Sequence, residues 1–410
     1  MASDLSKIMI VSGEASGDLH GSNLAAEFKK INPSLILFGM GGRKMREQGV
    51  NTVVDSEVSA SVMGISEVIS KLGSIYKAYK LLIETAKKEK PAVAVLIDYA
   101  EFNMLLAKQL KKLGIKVVYY IPPQIWAWRQ GRVKKIKKYF DLVISIFPFE
   151  EAFYLKNGVT KVKFLGHPFA NTTTKNINHD EQNLVEGNSS ITNLILSSNT
   201  DIKLEVLNRS IKVAILPGSR KHEILNLLPA MLEAVKIILI ARPTLYVLIP
   251  VAPTIDQQLI KKILIDSKID LSKIVIVDGH AEEVLEFSDF GLVASGTATL
   301  QACLALCPSI VCYQVSNLTY QIGKKLVKGV RFISIVNIIA NKEIFPELLQ
   351  DNVNGVNIAK YIESIMFDQR KISKIKSELG KVKDKLSYTS DDQKTSPQRA
   401  AEEILKLIYG

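Results

Sequence analysis

The run 92–97, Ala-Val-Ala-Val-Leu-Ile, is continuously apolar and follows Pro91. A strand with no polar face belongs inside a parallel sheet that is covered on both sides. Parallel neighbours need long crossovers, usually helices, and the chain supplies them. Residues 8–12 are a β-rich run ending at Gly13, and 17–31 place Leu19, Leu24 and Phe28 at helical spacing. Strands at 35–38, 115–121, 142–146 and 162–165, with a helix at 102–113, complete a first alternating set. A second set opens with a strand at 213–216 and a helix at 222–241 that contains Pro229, where a kink is expected. It continues through strands at 245–251, 273–277, 291–294 and 309–312. The pattern predicts an α/β fold of two Rossmann-like, doubly wound domains facing each other across a cleft, the GT-B architecture.

Residues 171–209 break the alternation and are rich in Asn, Ser and Thr, as linkers are. The expected organisation is therefore a first domain over 1–170, a polar linker or insertion over 171–209 and a second domain over 210–355. A helical tail over 356–410 is free to pack back on the first domain. The 410 residues suit two domains. A net charge of +12 suits anionic partners, although a Lys-rich solvated surface explains it equally well. The basic residues are dispersed and the aromatics form no stacking set, which argues against nucleic acid. Cys303, Cys307 and Cys312 match no zinc spacing and read as buried core residues of a protein in a reducing cytoplasm. The most apolar region, 227–253, is interrupted by Glu233, Lys236, Arg242 and Pro243, so membrane contact is expected to be peripheral.

Chemistry concentrates in the loops that follow strands. Ser12-Gly13-Glu14-Ala15-Ser16-Gly17-Asp18 joins a strand to a helix and offers backbone amides to a negative group, or forms a tight turn capped by Ser16. It is not G-x-G-x-x-G, and no acidic residue ends the second strand, which argues against a dinucleotide dehydrogenase. Asp98 ends the buried 92–97 strand, at the sheet edge where a carboxylate serves as a general base or as a structural partner. Glu101 is a weaker candidate three residues on. Trp126 and Arg129 follow another strand and suit a sugar or acyl surface, or inter-domain packing. His167 is a ligand contact or a turn residue. In the second domain, Gly218-Ser219-Arg220 and Ser295-Gly296-Thr297 each link a strand to a helix, and together they suit a nucleotide diphosphate. The 64–83 stretch, with Ile69, Leu72 and Ile75 among lysines, reads as an amphipathic helix for an anionic membrane or as a cover for the sheet.

These motifs, in this order, resemble the lipid-A-disaccharide synthase family over nearly the whole chain. The resemblance also rests on Val62-Met63-Gly64-Ile65, Phe102-Asn103, Phe147-Pro148-Phe149-Glu150, Leu165-Gly166-His167 and Pro346-Glu347-Leu348-Leu349-Gln350. It implies an inverting, metal-independent glycosyltransferase with no cofactor. The donor would be UDP-2,3-diacylglucosamine, the acceptor 2,3-diacylglucosamine 1-phosphate, and the product the β-1,6 disaccharide of lipid A. Asp98 takes the place of the family's base and Arg220 that of its diphosphate arginine. Gly13, Glu14, Ser16, Gly17, Asp18, Met63, Asn103, Trp126 and Arg129 fall on the acceptor side. Gln301 stands where the family usually has a Glu that holds the ribose, and Asn337 matches a family asparagine flanked here by Val336 and Asn341. The implied location is cytoplasmic, peripheral to the inner membrane of a Gram-negative-type cell, with a homodimer left open. The alternatives are another GT-B enzyme of UDP-sugars, such as an epimerase, or a non-catalytic nucleotide-sugar or lipid-binding protein.

Overall fold

The computed structural model describes residues 4–56, 65–127, 129–170, 204–316, 320–321, 331–388 and 394–410. It divides into two units, Met1–Asn171 with Leu386–Gly410, and Thr172–Lys385. Most of the expected polar linker, 171–203, lies outside the described residues, and its last part forms the short helix Leu204–Asn208.

The first unit holds seven parallel strands: β1 (Asp4–Ser12), β2 (Ile36–Gly41), β3 (Asn51–Asp55), β4 (Pro91–Ile97), β5 (Lys116–Tyr120), β6 (Leu142–Ser145) and β7 (Val162–Phe164). Their order is β3-β2-β1-β4-β5-β6-β7. β4 is buried along its whole length because both faces are covered. Met9, Val11, Ala94 and Leu96 face one core, under helices that include Ile65–Glu89 and Ala100–Lys112. Ile8, Ile10, Val93, Val95 and Ile97 face the other, under the Ala15–Ile31 helix and the distant Ser396–Tyr409 helix. The alternation along each strand is the period-2 pleat applied to two cores at once.

The second unit repeats the plan with β8 (Ile211–Leu216), β9 (Leu245–Val251), β10 (Ile274–Asp278), β11 (Phe290–Ala294), β12 (Ser309–Tyr313) and β13 (Glu347–Leu349). The order is β10-β9-β8-β11-β12-β13. One face carries the Lys221–Ala241, Gln257–Ser267 and Gly355–Met366 helices over a core that includes Val213, Val247, Phe290 and Ile362. Lys221–Ala241 runs as one helix through Pro229. By length and composition it could cross a membrane. Here Ile224, Leu228, Met231 and Val235 lie in the core of the unit. All three cysteines are buried and free, and burial pushes each thiol up to about 12.

Two strands escaped the sequence reading. β3 is a half-exposed edge strand and β13 is three residues long, so neither carries a strong apolar signature. The helical tail divides: Gly355–Met366 belongs to the second unit and Ser396–Tyr409 to the first. Phe290 is fully buried in the second core. Phe290→Ala should cost about 3–5 kcal/mol, read as a lower urea midpoint for the second unit.

Candidate functional site

Asp98 follows β4, next to the point where strand order reverses between β1 and β4. Asp98 and Tyr99 both take left-handed backbone angles, φ +47 and φ +38. Neither is a glycine, and such residues typically cost ~1–3 kcal/mol each unless their surroundings hold them. The surroundings do so. The Asn103 amide donates to the carbonyls of Ile97 and Asp98 at 3.1 and 2.8 Å, and the Tyr119 hydroxyl donates to the Asp98 carbonyl at 3.2 Å. The Asp98 amide donates to the Tyr120 carbonyl. Burial and the nearby Glu14 carboxylate raise the Asp98 carboxyl to about 6, against a hydrogen bond from the Tyr99 amide. A partly buried carboxyl tuned toward neutrality suits a general base.

The Gly13 loop lies against this aspartate. A side chain at Gly13 would collide with the Tyr99 ring, so the glycine permits the close approach. Glu14 and Ser16 are exposed, and Gly17 is buried against Ser12.

Asp18 is corrected from the acceptor side to a structural part. It is 4% exposed, and its carboxylate accepts from the amides of Gly42, Lys44 and Met45 at 2.6, 3.0 and 3.2 Å. It thereby caps the short Arg43–Glu47 helix from another element. Asn103 is likewise fully buried, and its amide nitrogen holds the backbone of Ile97 and Asp98.

Trp126 is also corrected. It is buried, and its indole N–H donates to the buried Glu150 at 3.0 Å while Phe149 meets its ring edge-on. The other Glu150 oxygen accepts from the Ile146 and Phe147 amides. Burial nevertheless raises the Glu150 carboxyl to about 8, with these three donors opposing. Arg129 is exposed and pairs with Glu101 at 2.5 Å, and Arg132 also pairs with Glu101. His167 is a turn residue whose ring accepts from the Phe169 amide, and burial lowers its pKa to about 3. Met63 lies outside the described residues, as do the side chains of Ile69 and Leu72. Ile75 is half-buried and packs against the first core.

The second unit contains a cavity of about 490 Å³. It opens at the reversal between β8 and β11, where an open parallel sheet binds its ligands. Gly218, Ser219 and Arg220 line it from one side, and Ser295, Gly296 and Thr297 from the other. Each segment leads into a helix, Lys221–Ala241 and Thr297–Leu304, so two helix N-termini border the space. Gln301 lies one turn further along the second helix, also on the wall, with the Glu282 carboxylate hydrogen-bonded to it. The volume is within the range of roughly 300–1,000 Å³ usual for small-molecule sites. Asn337 does not line the cavity and is corrected to a structural role. Its carboxamide accepts from the Ile344 and Phe345 amides and donates to the Phe345 carbonyl and the Glu347 carboxylate. One lining residue, Glu223, went unnoticed in the sequence, although its place three residues after Arg220 matches a capping box.

Comparison with known proteins adds to this geometry. A family model described as lipid-A-disaccharide synthetase matches residues 8–402. The chain belongs to this family. Lipid-A-disaccharide synthase of Geobacter metallireducens is 40% identical over 93% of each chain. The Myxococcus xanthus enzyme of that name is 38% identical over 98% of this chain and 97% of its own. That of Coxiella burnetii is 35% identical over 98% of both. Among solved structures, a UDP-GlcNAc 2-epimerase from Neisseria meningitidis bound to UDP-GlcNAc superposes with a TM-score of 0.62 at 11% identity, covering 98% of this chain and 100% of that one. A calicheamicin glycosyltransferase superposes with a TM-score of 0.57 at 10% identity, covering 99% and 98%. These two likenesses bear on the fold alone, which is GT-B with two Rossmann-like domains.

Within the family's framework, the Trp126 loop rests on Glu150. Glu150→Ala would leave one indole and two backbone N–H groups without their acceptor. Buried orphans of this kind cost ~1–3 kcal/mol each, so the variant should lose about 3 kcal/mol or more, read by urea denaturation.

Proposed function

We propose that the chain transfers 2,3-diacylglucosamine from UDP to the 6-hydroxyl of 2,3-diacylglucosamine 1-phosphate, giving the β-1,6-linked disaccharide 1-phosphate and UDP. Family membership makes it a glycosyltransferase that forms the lipid A disaccharide.

The observation that carries the mechanism is Asp98, held in a strained conformation with its carboxyl raised to about 6. As the acceptor oxygen attacks the anomeric carbon, its proton passes to Asp98. The bond from that carbon to the diphosphate breaks, and its electron pair leaves with UDP. Attack opposite the leaving group inverts the anomeric centre. The growing negative charge falls on the leaving phosphates, where Arg220 and the two helix N-termini at Gly218 and Gly296 stabilise it. Ser295 and Thr297 offer hydroxyl donors, and Gln301 reaches the ribose side of the cavity. Glu14, whose charge acts on Asp98, and the exposed Ser16 and Arg129 meet the acceptor.

Asp98→Asn should lower turnover by about 10²–10⁴-fold and leave UDP affinity unchanged. In the unmodified enzyme kcat/KM should climb with pH through about 6, because only the ionised carboxylate accepts the proton. The assay is mass-spectrometric detection of the disaccharide 1-phosphate. Near-normal turnover by the Asn variant would remove Asp98 from the reaction, and an epimerised UDP-sugar as the product would replace the transferase reading.

An anionic membrane surface belongs to the same proposal, since both substrates carry acyl chains. The net charge of +12 favours it. On the Ile65–Glu89 helix, Tyr76 and Leu81 are exposed large hydrophobics, with Lys77 and Lys80 exposed beside them. Replacing Tyr76 and Leu81 together by Asp should reduce co-sedimentation with phosphatidylglycerol vesicles by several-fold. Undiminished binding would place the membrane contact elsewhere.

A further inference from the structure

The anion-binding loop of the second unit already holds an anion of its own. Glu223 lines the cavity, and one of its carboxylate oxygens accepts from the backbone amides of Ser219 and Arg220 at 3.0 and 3.2 Å. Its other oxygen takes the Arg220 guanidinium at 3.3 Å. The carboxylate lies so close over Gly218, φ +116, that a Cβ there would collide with it. The close approach permitted by this glycine is therefore made by Glu223. The loop is otherwise pinned by Thr254, whose hydroxyl donates to the Ser219 carbonyl at 2.8 Å.

A cap alone would explain the two amide bonds. The same carboxylate also takes the guanidinium of the arginine lining the cavity, as an i,i+3 pair of opposite charges. The Arg220 side chain is 69% exposed, whereas that of Glu223 is 22% exposed and held at two amides. A diphosphate entering here meets a fixed negative charge and an arginine engaged with it.

We propose that Glu223 is an internal competitor for the donor diphosphate: it holds Arg220 whenever no nucleotide is bound, yields it when a nucleoside diphosphate binds, and takes it back as UDP leaves. This rests on the reading of the cavity as the nucleotide site. Glu223 is a positioning residue, since it acts through Arg220. It keeps the loop shaped without ligand and limits how tightly the product is held.

The sign of the effect separates this role from a purely structural one. Glu223→Gln keeps an acceptor for the Ser219 and Arg220 amides but loses the charge. Calorimetric titration with UDP should show affinity rising about three- to fivefold, the scale of an exposed charge pair, with UDP dissociating correspondingly more slowly in stopped flow. The melting temperature should fall slightly as the cap weakens. In an Arg220→Ala background the gain should vanish. UDP affinity that is unchanged or weaker in Glu223→Gln would overturn the proposal and leave Glu223 a cap only. Arg220→Ala alone reports on the site itself. If that variant bound UDP as tightly as the unmodified protein, the cavity would not be the diphosphate site, and the competitor role would fall with it.

Discussion

Both sheets depend on one reversal of strand order. In the first, β1 and β4 sit side by side and send their crossovers to opposite faces; in the second, β8 and β11 do the same. Where neighbouring crossovers diverge, the loops at the strand ends part and leave a crevice. The Gly13 loop follows β1 and Asp98 follows β4, while Gly218 follows β8 and Gly296 follows β11. Four segments far apart in sequence thus border the two places where this sheet type can hold a ligand. The chemistry differs because the residues do. The first crevice carries a desolvated carboxyl, the second helix N-termini and an arginine.

The fold was legible because parallel strands must be apolar on both faces. Residues 92–97 and 245–251 show this directly, and both strands are buried throughout. Legibility failed where that constraint lapses. β3 lies at an edge with one residue of five buried, and an edge strand resembles a loop. The loops bearing the site were equally readable, since a glycine between a strand and a helix is a local signature. The duties of single polar side chains were not. Asp18 serves the amide of Gly42, Trp126 serves Glu150, and Asn337 serves the strand approach at Phe345 and Glu347. Each partner is fixed only by tertiary packing, so a polar residue inside a motif looks alike whether it faces a ligand or the backbone. Ile75 is ambiguous for the same reason, because an apolar helix stripe fits a sheet as well as a bilayer.

A common theme joins several buried polar residues. Asn103 and Tyr119 hold Asp98 by its carbonyl, Glu150 holds the Trp126 loop, and Asn337 with Glu347 holds the approach to β13. These polar groups spend their hydrogen bonds on backbone and neighbouring side chains. Ser295, Thr297 and Gln301 line the second crevice, and Asp98 stands at the first. Rigidity around the site comes from residues that motif reading tends to assign to the ligand.

The Ser396–Tyr409 helix places Ala400, Ala401, Ile404 and Ile408 in a core whose other members, from Ile8 to Leu165, come from the first part of the chain. A ribosome therefore releases nearly all of the first unit before its last core helix exists. The whole second unit is made in between, a delay of about 10–40 s at ~5–20 residues per second. Over that interval one side of the nascent sheet, including Ile10, Val95 and Val118, lacks part of its cover. The second unit meets no such wait, so during synthesis it can be complete before the first.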